Sequence, residues 1–318
     1  MDMGEIDRMT RSEPGGELKS NEPMRKHTSW RAGGAAKRAY FPHSLDDLRR
    51  FIRTIPPGEP VYFVGLGSNI LVRDAGLQGT VIFTHGALNK MRLDSQQPGA
   101  YLVYAEAGVA GAKVARFGAT HGLRGAEFLA GIPGTVGGAL AMNAGCYGSE
   151  TWDIVHSVLC LRSDGELVRC SPDQFEVGYR HVVLCPGAAQ PRAAAEAGCW
   201  FAAAWFKLEP GDPDASRRAI RELLERRIAT QPLDQPNAGS VFRNPPGDYA
   251  ARLIESCGLK GFAIGGAAVS NKHANFIVNT GAASAGDIEA LIDKVQLTVW
   301  ERCGVQLERE VRIIGERA

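Results

Sequence analysis

Hydrophobic and polar positions in the first quarter of the chain follow a helical spacing and then a strand spacing. Apolar residues recur at helical intervals over residues 44–55, and Ser44 stands where a helix N-cap is expected. Residues 39–42, the run VYFV at 61–64 and the run ILV at 70–72 are typical of short strands. The pattern predicts a β-α-β arrangement in a small domain that extends to about residue 85.

The middle of the chain, residues 88–208, has a pattern of hydrophobic positions that is typical of strands and turns. Its hydrophobic segments are short and are separated by Gly, Pro and Asp-Gly, as in hairpins and meanders. The sequence SDGELV at residues 163–168 predicts a hairpin turn, and residues 113–121 predict one short helix. The low-complexity residues 186–198 are expected to form a surface loop between two strands.

Helical periodicity returns over residues 211–305. It predicts a helix over 215–229, another over 249–257 that stops at Gly258, and a last one that opens at Ser284 and ends at Gly304. The alternating residues 305–314, VQLEREVRII, predict a closing strand with Glu308 and Glu310 on the same face. The fold class is therefore α+β, in three parts.

Composition excludes several broad classes. The chain has 318 residues, 44% hydrophobic and 22% charged, and a formal net charge of +1, which gives no bulk attraction to nucleic acid or anionic lipid. No apolar run approaches the roughly 20 residues that span a bilayer. The first 20 residues lack the apolar core of a signal peptide and are expected to be a flexible lead-in. Seven scattered cysteines without paired spacing indicate reduced thiols in a cytoplasmic protein.

Two glycine-rich stretches are the candidate ligand-binding segments. Residues 130–145, AGIPGTVGGALAMNAG, contain five glycines and no charge, so they offer mainly backbone N–H groups, which bind pyrophosphate well. Alone, such a stretch is more often a packing crossover. The loop GLGSN at residues 65–69 is a second set of backbone donors, and together they predict one large phosphate-bearing ligand.

Other nucleotide and catalytic motifs do not fit. The loop has Ile70 where a Rossmann fingerprint needs its third glycine, and strand-like residues follow it instead of a helix. No Gly-Lys-Ser/Thr follows either loop, and the chain has no Gly-x-Ser-x-Gly. Neither the histidines nor the cysteines have metal-ligand spacing, so no metal is expected.

Seven motifs in order carry a resemblance to a known family. They are HTSWRAGGAA, VGLGSNILVRD, AGIPGTVGGALAMNAGCYG, GYRHVVL, QPLDQPNAGSVFRNP, SNKHANFIVNTGAASAGDIEALI and LEREVRIIG. Together they resemble UDP-N-acetylenolpyruvoylglucosamine reductase, the MurB family of peptidoglycan synthesis. The likeness runs from about residue 20 to the end of the chain.

The resemblance implies a flavoprotein with a vanillyl-alcohol-oxidase-type (PCMH-type) FAD-binding region and a C-terminal α+β substrate domain. It implies FAD-binding subdomains over residues 21–85 (rejoined by 306–318) and 86–210, and a substrate domain over 211–305. Non-covalent FAD would lie between the first two, and NADPH would be the reductant for the UDP-sugar. The implied FAD-binding residues are Gly65, Gly67, Ser68, Asn69, Ile70, Ala130, Gly131, Ile132, Pro133, Gly134, Thr135, Gly137, Gly138, Ala144 and Gly145.

Three residues match the family's catalytic set. The resemblance implies that Ser240 protonates the substrate carbon, that Arg180 stabilises charge on the substrate carboxylate, and that Glu310 relays a proton or orients the same group. Taken individually, Ser240 fits an ordinary turn serine, Arg180 a surface strand arginine and Glu310 one half of an ion pair on an edge strand. Periodicity does not separate Glu310 from Glu308; only the family's Glu-Val pair does.

The substrate candidates and the departures from the family are less specific. Polar turns suited to a diphosphate or uridine contain Asn237, Asn244, Lys272, His273 and Asn275, although the loop 270–275 equally fits a helix cap. Tyr179, also a substrate-binding candidate, is expected to stack on the flavin or to pack in the core. Val182 replaces the family's usual serine, and the lack of a tyrosine-bearing lid loop indicates the family's shorter type.

Two other functions remain open. The first is a related oxidase that binds FAD covalently, with Cys146 at the edge of the glycine-rich stretch as the attachment candidate. The second is a nucleotide-sugar binding module that has lost catalysis, which the joint presence of Arg180, Ser240 and Glu310 disfavours. The expected partner is a small UDP-sugar and not nucleic acid or membrane, and the chain is expected to be a monomer.

Overall fold

The helices of the structure lie largely where the periodicity places them. The structure, a computed structural model, describes residues 14–97, 100–185 and 198–317. Its α-helices are α1 (Leu45–Ile52), α2 (Gly111–Thr120), α3 (Val136–Met142), α4 (Pro213–Thr230), α5 (Ala250–Ser256) and α6 (Ala285–Cys303). Short 3-10 turns lie at Met24–Lys26, Glu127–Gly131, Thr151–Asp153 and Pro172–Gln174.

The strands are short and numerous. In chain order they are β1 (Glu17–Pro23), β2 (Ala35–Phe41), β3 (Val61–Val64), β4 (Ile70–Val72), β5 (Leu77–Phe83), β6 (Met91–Gln97), β7 (Ala100–Glu106), β8 (Leu123–Arg124), β9 (Gly145–Cys146), β10 (Ser149–Glu150), β11 (Val155–Arg162), β12 (Leu167–Cys170), β13 (Phe175–Gly178), β14 (His181–Leu184), β15 (Cys199–Pro210), β16 (Ala263–Ile264), β17 (Ala267–Val269), β18 (Ile277–Asn279) and β19 (Arg312–Ile314). The mixture of helices and strands confirms the α+β class.

The chain divides into two compact units that interleave along the sequence. Unit 1 comprises Met1–Lys19, Ala39–Gly65 and Thr80–Ile220, and unit 2 comprises Ser20–Arg38, Leu66–Gly79 and Arg221–Ala318. A four-stranded sheet has the order β1-β2-β5-β3. The three-part domain division of the sequence stays a prediction.

Unit 1 is built on an antiparallel sheet of order β12-β11-β15-β7-β6, with β8 paired to one end of β15. The predicted Asp-Gly turn joins β11 to β12, in the register Leu161↔Leu167. In the core, helix α1 packs Leu48, Phe51 and Ile52 against Tyr40 and Trp200. Ser44 caps α1 by accepting a hydrogen bond from the amide of Asp47, which confirms that predicted helix start.

Unit 2 gathers its core around α5, α6 and the sheet β16-β17-β18. The capping box of Ser284 and Asp287 is present at the start of α6, and Gly304 ends that helix in the left-handed region at φ 68°. Trp30 is fully buried in this core and donates its indole N–H to the carbonyl of Ile277 at 2.7 Å. The early segment 20–38 is therefore an integral part of unit 2.

The structure differs from the sequence expectations at both ends. Strand β1 begins at Glu17, inside the segment expected to be flexible, and residues 1–13 lie outside the described part of the chain. The predicted strand 305–314 is wrong over most of its length, since β19 covers only Arg312–Ile314, paired in parallel with β4. Its alternation is nonetheless real in burial, with Leu307 and Val311 buried and Glu308 exposed. Most of the predicted loop 186–198 lies outside the described residues.

Candidate active site

The glycine-rich stretch 130–145 of unit 1 folds around a short helix that the sequence pattern does not indicate. Thr135 precedes α3, and Asn143 ends it in the left-handed conformation at φ 40°. The first two amides of α3, those of Val136 and Gly137, donate to the carbonyls of Val109 and Ala107 at 2.8 and 2.9 Å. These bonds fix the start of the helix on the end of β7.

The third residue of α3, Gly138, presents bare backbone to solvent. It is exposed, and a Cβ placed there would find only Thr135 Oγ1 as a near neighbour, at 4.0 Å. Amides in the first turn of a helix lack intrahelical partners and carry the positive end of the helix dipole. This side of the turn can therefore approach an anionic ligand closely.

The two predicted phosphate loops meet inside unit 1. A Cβ on Gly65 would overlap the Thr135 hydroxyl, so the end of β3 lies directly against the start of the second glycine-rich stretch. Only glycine permits this approach. The bare backbone at this junction fits the pyrophosphate of a dinucleotide such as FAD.

The rest of the GLGSN loop belongs to unit 2. Gly67 adopts φ 62°, and a side chain there would overlap the carbonyl of His27. Asn69 donates from Nδ2 to the carbonyl of Glu310 at 3.2 Å and accepts from the amide of Arg312 at 3.0 Å. A predicted cofactor residue and a predicted catalytic residue are thus neighbours within this unit.

Arg180 occupies the two-residue turn of the β13–β14 hairpin. It is a non-glycine residue at φ 54°, a conformation that costs an ordinary residue about 1–2 kcal/mol. Its guanidinium donates from Nη1 to the carbonyl of Asn143 at 3.1 Å and from Nη2 to that of Gly145 at 2.7 Å. Arg180 is therefore not a surface strand arginine: it is bound to the C-terminal end of the glycine-rich stretch.

Two residues that sequence reasoning missed hold this arrangement. The buried Asn143 side chain donates to Glu150 Oε2 at 2.7 Å and to the carbonyl of Gly178 at 3.1 Å, and its Oδ1 accepts from the amide of Trp152. Glu150 Oε1 lies 3.8 Å from Arg180 Nη1. The available signal was Asn143 itself, since asparagine tolerates the left-handed conformation at a helix end.

Tyr179 and Val182 flank Arg180 in the same hairpin. Tyr179 is 45% exposed and does not pack in the core, and the Arg180 guanidinium lies 4.9 Å from the centre of its ring. Val182 is buried on β14 opposite Val177. The position of the family's usual serine is therefore an apolar packing position here.

Ser240 and Glu310 lie on adjacent segments of unit 2. The amide of Glu310 donates to the carbonyl of Val241, the residue after Ser240, at 2.8 Å, and the amide of Arg243 donates to the carbonyl of Glu308 at 2.8 Å. Phe242 and Arg309 form an isolated antiparallel bridge between the same segments. These bonds set Glu310 opposite Val241, so the segments that carry the two predicted catalytic residues are paired.

The structure separates the two glutamates that periodicity left equivalent. The Glu308 side chain is 74% exposed and forms an ion pair with Arg243, Nη1 to Oε2, at 3.4 Å. Glu310 is half-buried, and its backbone is bonded to both Asn69 and Val241. Glu310 thus contacts the GLGSN loop through its backbone, whereas Glu308 faces solvent, and the catalytic role of Glu310 stays a prediction.

The predicted substrate residues of unit 2 mostly serve the local backbone. Asn275 uses both ends of its amide on Phe242, whose N–H it accepts at 3.0 Å and whose carbonyl it binds at 2.8 Å. Asn237 bridges its own turn, with bonds to the carbonyls of Pro232 and Gln235. These two amides hold the segment 237–242, which contains Ser240.

The other substrate candidates have similar local contacts. Lys272 donates to the carbonyl of Ile228 near the end of α4 at 2.6 Å, which supports the helix-cap alternative for that loop. Asn244 accepts from the amide of Ala250 at the start of α5 at 3.1 Å. His273 accepts from the amide of Asn275 at 3.3 Å, and burial lowers the pKa of its imidazole.

The comparisons with known proteins agree with these motifs. Residues 36–171 match the FAD binding domain family, and residues 231–314 match the family described as UDP-N-acetylenolpyruvoylglucosamine reductase, C-terminal domain. A UDP-N-acetylenolpyruvoylglucosamine reductase from Nitrosospira multiformis is 57% identical over 329 residues, covering 100% of this chain and 94% of that protein. This chain belongs to the UDP-N-acetylenolpyruvoylglucosamine reductase family.

Further relatives of the reductase family extend the match. The enzyme of the same name from Thiobacillus denitrificans is 58% identical over 306 residues, covering 93% of this chain and 92% of that one. The crystal structure of the reductase (MurB) from Thermus caldophilus superposes with a TM-score of 0.77 at 30% identity, covering 94% of this chain and 99% of that chain. The predicted three-part flavoprotein fold is confirmed at the level of an FAD-binding region and a MurB C-terminal domain.

Membership in the reductase family confirms the predicted class. The chain is an FAD oxidoreductase of peptidoglycan synthesis, in a family that uses FAD and NADPH. Cys146, the candidate for covalent attachment in the rival oxidase, donates its thiol hydrogen to the carbonyl of Phe128 at 3.1 Å. Within the described residues, no helix is both long and apolar enough to cross a membrane.

Proposed function

We propose that this chain reduces UDP-N-acetylenolpyruvoylglucosamine to UDP-N-acetylmuramate, with NADPH as the electron source and Ser240 as the proton donor. The observation that supports the proposal is the backbone pairing of the segment that follows Ser240 with the segment that contains Glu310, at 2.8 Å from the Glu310 amide to the Val241 carbonyl. When bound, FAD supplies hydride transfer from NADPH to the enolpyruvyl double bond. The protein supplies the charges and the proton.

The bare backbone of the two glycine-rich loops would hold FAD. Gly65 adjoins Thr135 within unit 1, and Gly138 presents an open face of α3. We assign to FAD the residues named from the resemblance, with Asn69 linking that loop to Glu310. Amides and a helix start suit a pyrophosphate, which carries two negative charges.

Ser240 would complete the reduction. Addition of hydride to one carbon of the double bond leaves negative charge on the other carbon and on the conjugated carboxylate. The Ser240 hydroxyl gives its proton to that carbon, and we assign to Glu310 the role of relaying a proton or orienting the substrate carboxylate. A serine hydroxyl is a weak acid, so it suits this strongly basic carbon.

Arg180 would stabilise the charge on the carboxylate. Two carbonyls fix its guanidinium, and fixed donors stabilise developing charge without reorganisation in the reaction. The fork of an arginine matches a carboxylate better than the single ammonium of a lysine.

Ser240→Ala tests the proposal. Anaerobic stopped-flow absorbance should show flavin bleaching by NADPH at close to the normal rate, and slow recovery of the flavin colour on addition of the UDP-sugar. Equal slowing of both half-reactions would contradict the assignment of Ser240. The matched pair Glu310→Gln and Glu308→Gln should differ, with only the first impairing the second half-reaction.

Flavin release separates this function from the rival oxidase. Denaturation should release FAD into the filtrate, and flavin that stays on the precipitated chain would favour covalent attachment. We also infer that the protein is cytoplasmic, which the seven scattered free cysteines support. We further infer that it is a monomer. Sedimentation velocity of the holoenzyme at several concentrations tests the monomer.

A further inference from the structure

Two cysteines far apart in the sequence meet at the ends of two helices of unit 2. Cys257 directly follows α5 and Cys303 is the last residue of α6. Their sulfur atoms are 3.6 Å apart. Each is followed by a glycine in the left-handed conformation, Gly258 and Gly304, so both thiols lie at helix termini and not inside a helix.

The two thiols differ in their access to solvent. Cys303 is exposed, whereas Cys257 is 3% exposed and is covered by the end of α6. Burial, together with the contact to Cys303, raises the pKa of the Cys257 thiol. A reagent in solution therefore reaches Cys303 first, and the buried Cys257 thiol is the second to react.

Two arginines and a serine lie close to the pair of thiols. Arg302 donates from Nη1 to the carbonyl of Cys257 at 2.8 Å, and the Arg252 guanidinium interacts electrostatically with Cys303. The Ser256 hydroxyl lies 4.0 Å from the Cys303 sulfur. Attack on a disulfide requires the thiolate form of a cysteine.

We propose that Cys257 and Cys303 form a reversible oxidation site that accepts low-molecular-weight disulfides. Cys303 loses its proton, and its thiolate attacks one sulfur of the oxidant, forming a mixed disulfide and releasing the other half as a thiolate that takes up a proton. Cys257 then loses its proton and attacks the Cys303 sulfur, which forms the Cys257–Cys303 bond and releases the second half as a thiolate. The protein loses two electrons and two protons, and the oxidant is reduced to two thiols.

The geometry makes the second step local. A disulfide bond is about 2.05 Å long, so the sulfurs, now 3.6 Å apart, must approach by roughly 1.5 Å. The buried cluster of Cys160, Cys170 and Cys199 offers no comparable entry, since each is at most 6% exposed. Cys185 is exposed and serves as the internal comparison.

The test is oxidation of the full-length holoenzyme with oxidised glutathione, followed by alkylation and peptide mapping without reduction. We expect a cross-linked peptide containing both cysteines, with loss of alkylation at both together and recovery with dithiothreitol. Cys257→Ala should instead retain glutathione on Cys303. Cys303→Ser should leave Cys257 alkylatable after unfolding, and Cys185→Ser should behave like the wild type. None of these readouts requires catalytic activity.

Two results would overturn the site. One is a stable glutathione adduct on Cys303 of the wild-type protein with Cys257 still a free thiol. The other is modification of Cys185 while both Cys257 and Cys303 remain reduced. If Cys257→Ala does not fold, the wild-type map and Cys303→Ser decide between the same outcomes.

Discussion

The Arg180 guanidinium donates from Nη2 to the carbonyl oxygen of Gly145 at 2.7 Å. The same group donates from Nη1 to the carbonyl of Asn143, so the hairpin that carries a predicted catalytic residue is bound to the stretch that carries predicted cofactor residues. Both ends of this relationship lie in unit 1. The fixed orientation of the guanidinium follows from backbone acceptors that no side-chain substitution removes.

Arg180→Lys should therefore impair the reaction more than it impairs folding. A lysine ammonium is a single donor group that cannot bind both carbonyls in this fork geometry. We expect the rate of flavin reoxidation by the UDP-sugar to fall on the order of 100-fold, as when one charge-stabilising donor is lost. Stopped-flow absorbance measures this rate, with Arg217→Lys on the exposed face of α4 as the control.

Glu150→Gln shows which partner matters for Arg180. The glutamine keeps an oxygen for Asn143 but removes the charge 3.8 Å from the guanidinium. If the carbonyls set the position of Arg180, this variant should lose much less activity than Arg180→Lys. Equal losses would mean that the carboxylate, and not the backbone, positions the arginine.

The glycines of the cofactor loops can be tested as a pair. Gly65→Ala brings a methyl group into the Thr135 hydroxyl, so it should destabilise the protein even without FAD. Gly138→Ala meets only that hydroxyl at 4.0 Å and lies in a helix, so it should stabilise the apoprotein by up to about 1 kcal/mol. If the pyrophosphate lies on this face, Gly138→Ala should nonetheless weaken FAD binding.

Urea unfolding of the apoproteins and fluorescence titration with FAD measure the two effects separately. Unchanged FAD affinity in Gly138→Ala would remove that residue from the cofactor site. Unchanged apoprotein stability in Gly65→Ala would contradict the close approach of the two loops.

Local chemistry in the sequence predicted the helix ends well. Ser44 and the Ser284–Asp287 box mark helix starts because their side chains satisfy amides of the same turn, an interaction complete within four residues. The Asp-Gly turn between β11 and β12 is equally local. Features of this kind need no knowledge of the rest of the chain.

Features that depend on distant partners were not predictable from the sequence alone. The polar strand β1 has no apolar alternation to mark it, and α3 contains two glycines that argue against a helix. The fork of Arg180 depends on two carbonyls more than 30 residues away. The motif resemblance predicts Arg180, Ser240 and Glu310 as catalytic residues. Only the folded structure shows that Asn143 and Glu150 contact Arg180.

A buried carboxylate in unit 1 gives the stability a pH dependence. Asp47 is 2% exposed and accepts hydrogen bonds from the Tyr40 hydroxyl at 2.8 Å and from the amides of His43 and Gly15 at 2.9 and 2.7 Å. Burial alone would raise the pKa of this carboxyl, but these hydrogen bonds together lower it. The folded protein therefore binds a proton at Asp47 less readily than the unfolded chain does.

The sign follows from that lowered pKa. Asp47 contributes its full stabilisation above the unfolded value of about 3.9 and loses it as the pH falls through the lower folded value. Asp47→Asn should lower the free energy of unfolding by on the order of 1–3 kcal/mol at pH 7, and the difference from wild type should shrink below about pH 4. Tyr40→Phe, which removes one donor, should cost about 1 kcal/mol. A constant difference across the acid range would contradict the pKa assignment.

Asn275 separates a structural role from a substrate role. Its amide is buried and uses both its N–H and its oxygen on Phe242, two residues beyond Ser240. Asn275→Ala leaves two buried backbone groups without partners, so it should lower the free energy of unfolding by roughly 2–4 kcal/mol. Because the loss disturbs the segment that follows Ser240, the rate of flavin reoxidation by the UDP-sugar should fall while the KM for the UDP-sugar changes little.

Lys272→Ala is the control, because the Lys272 ammonium is exposed at the end of α4. This variant should lower the free energy of unfolding by less than about 1 kcal/mol. A large rise in KM with normal stability would instead make Asn275 a substrate ligand, as the motif alone suggests.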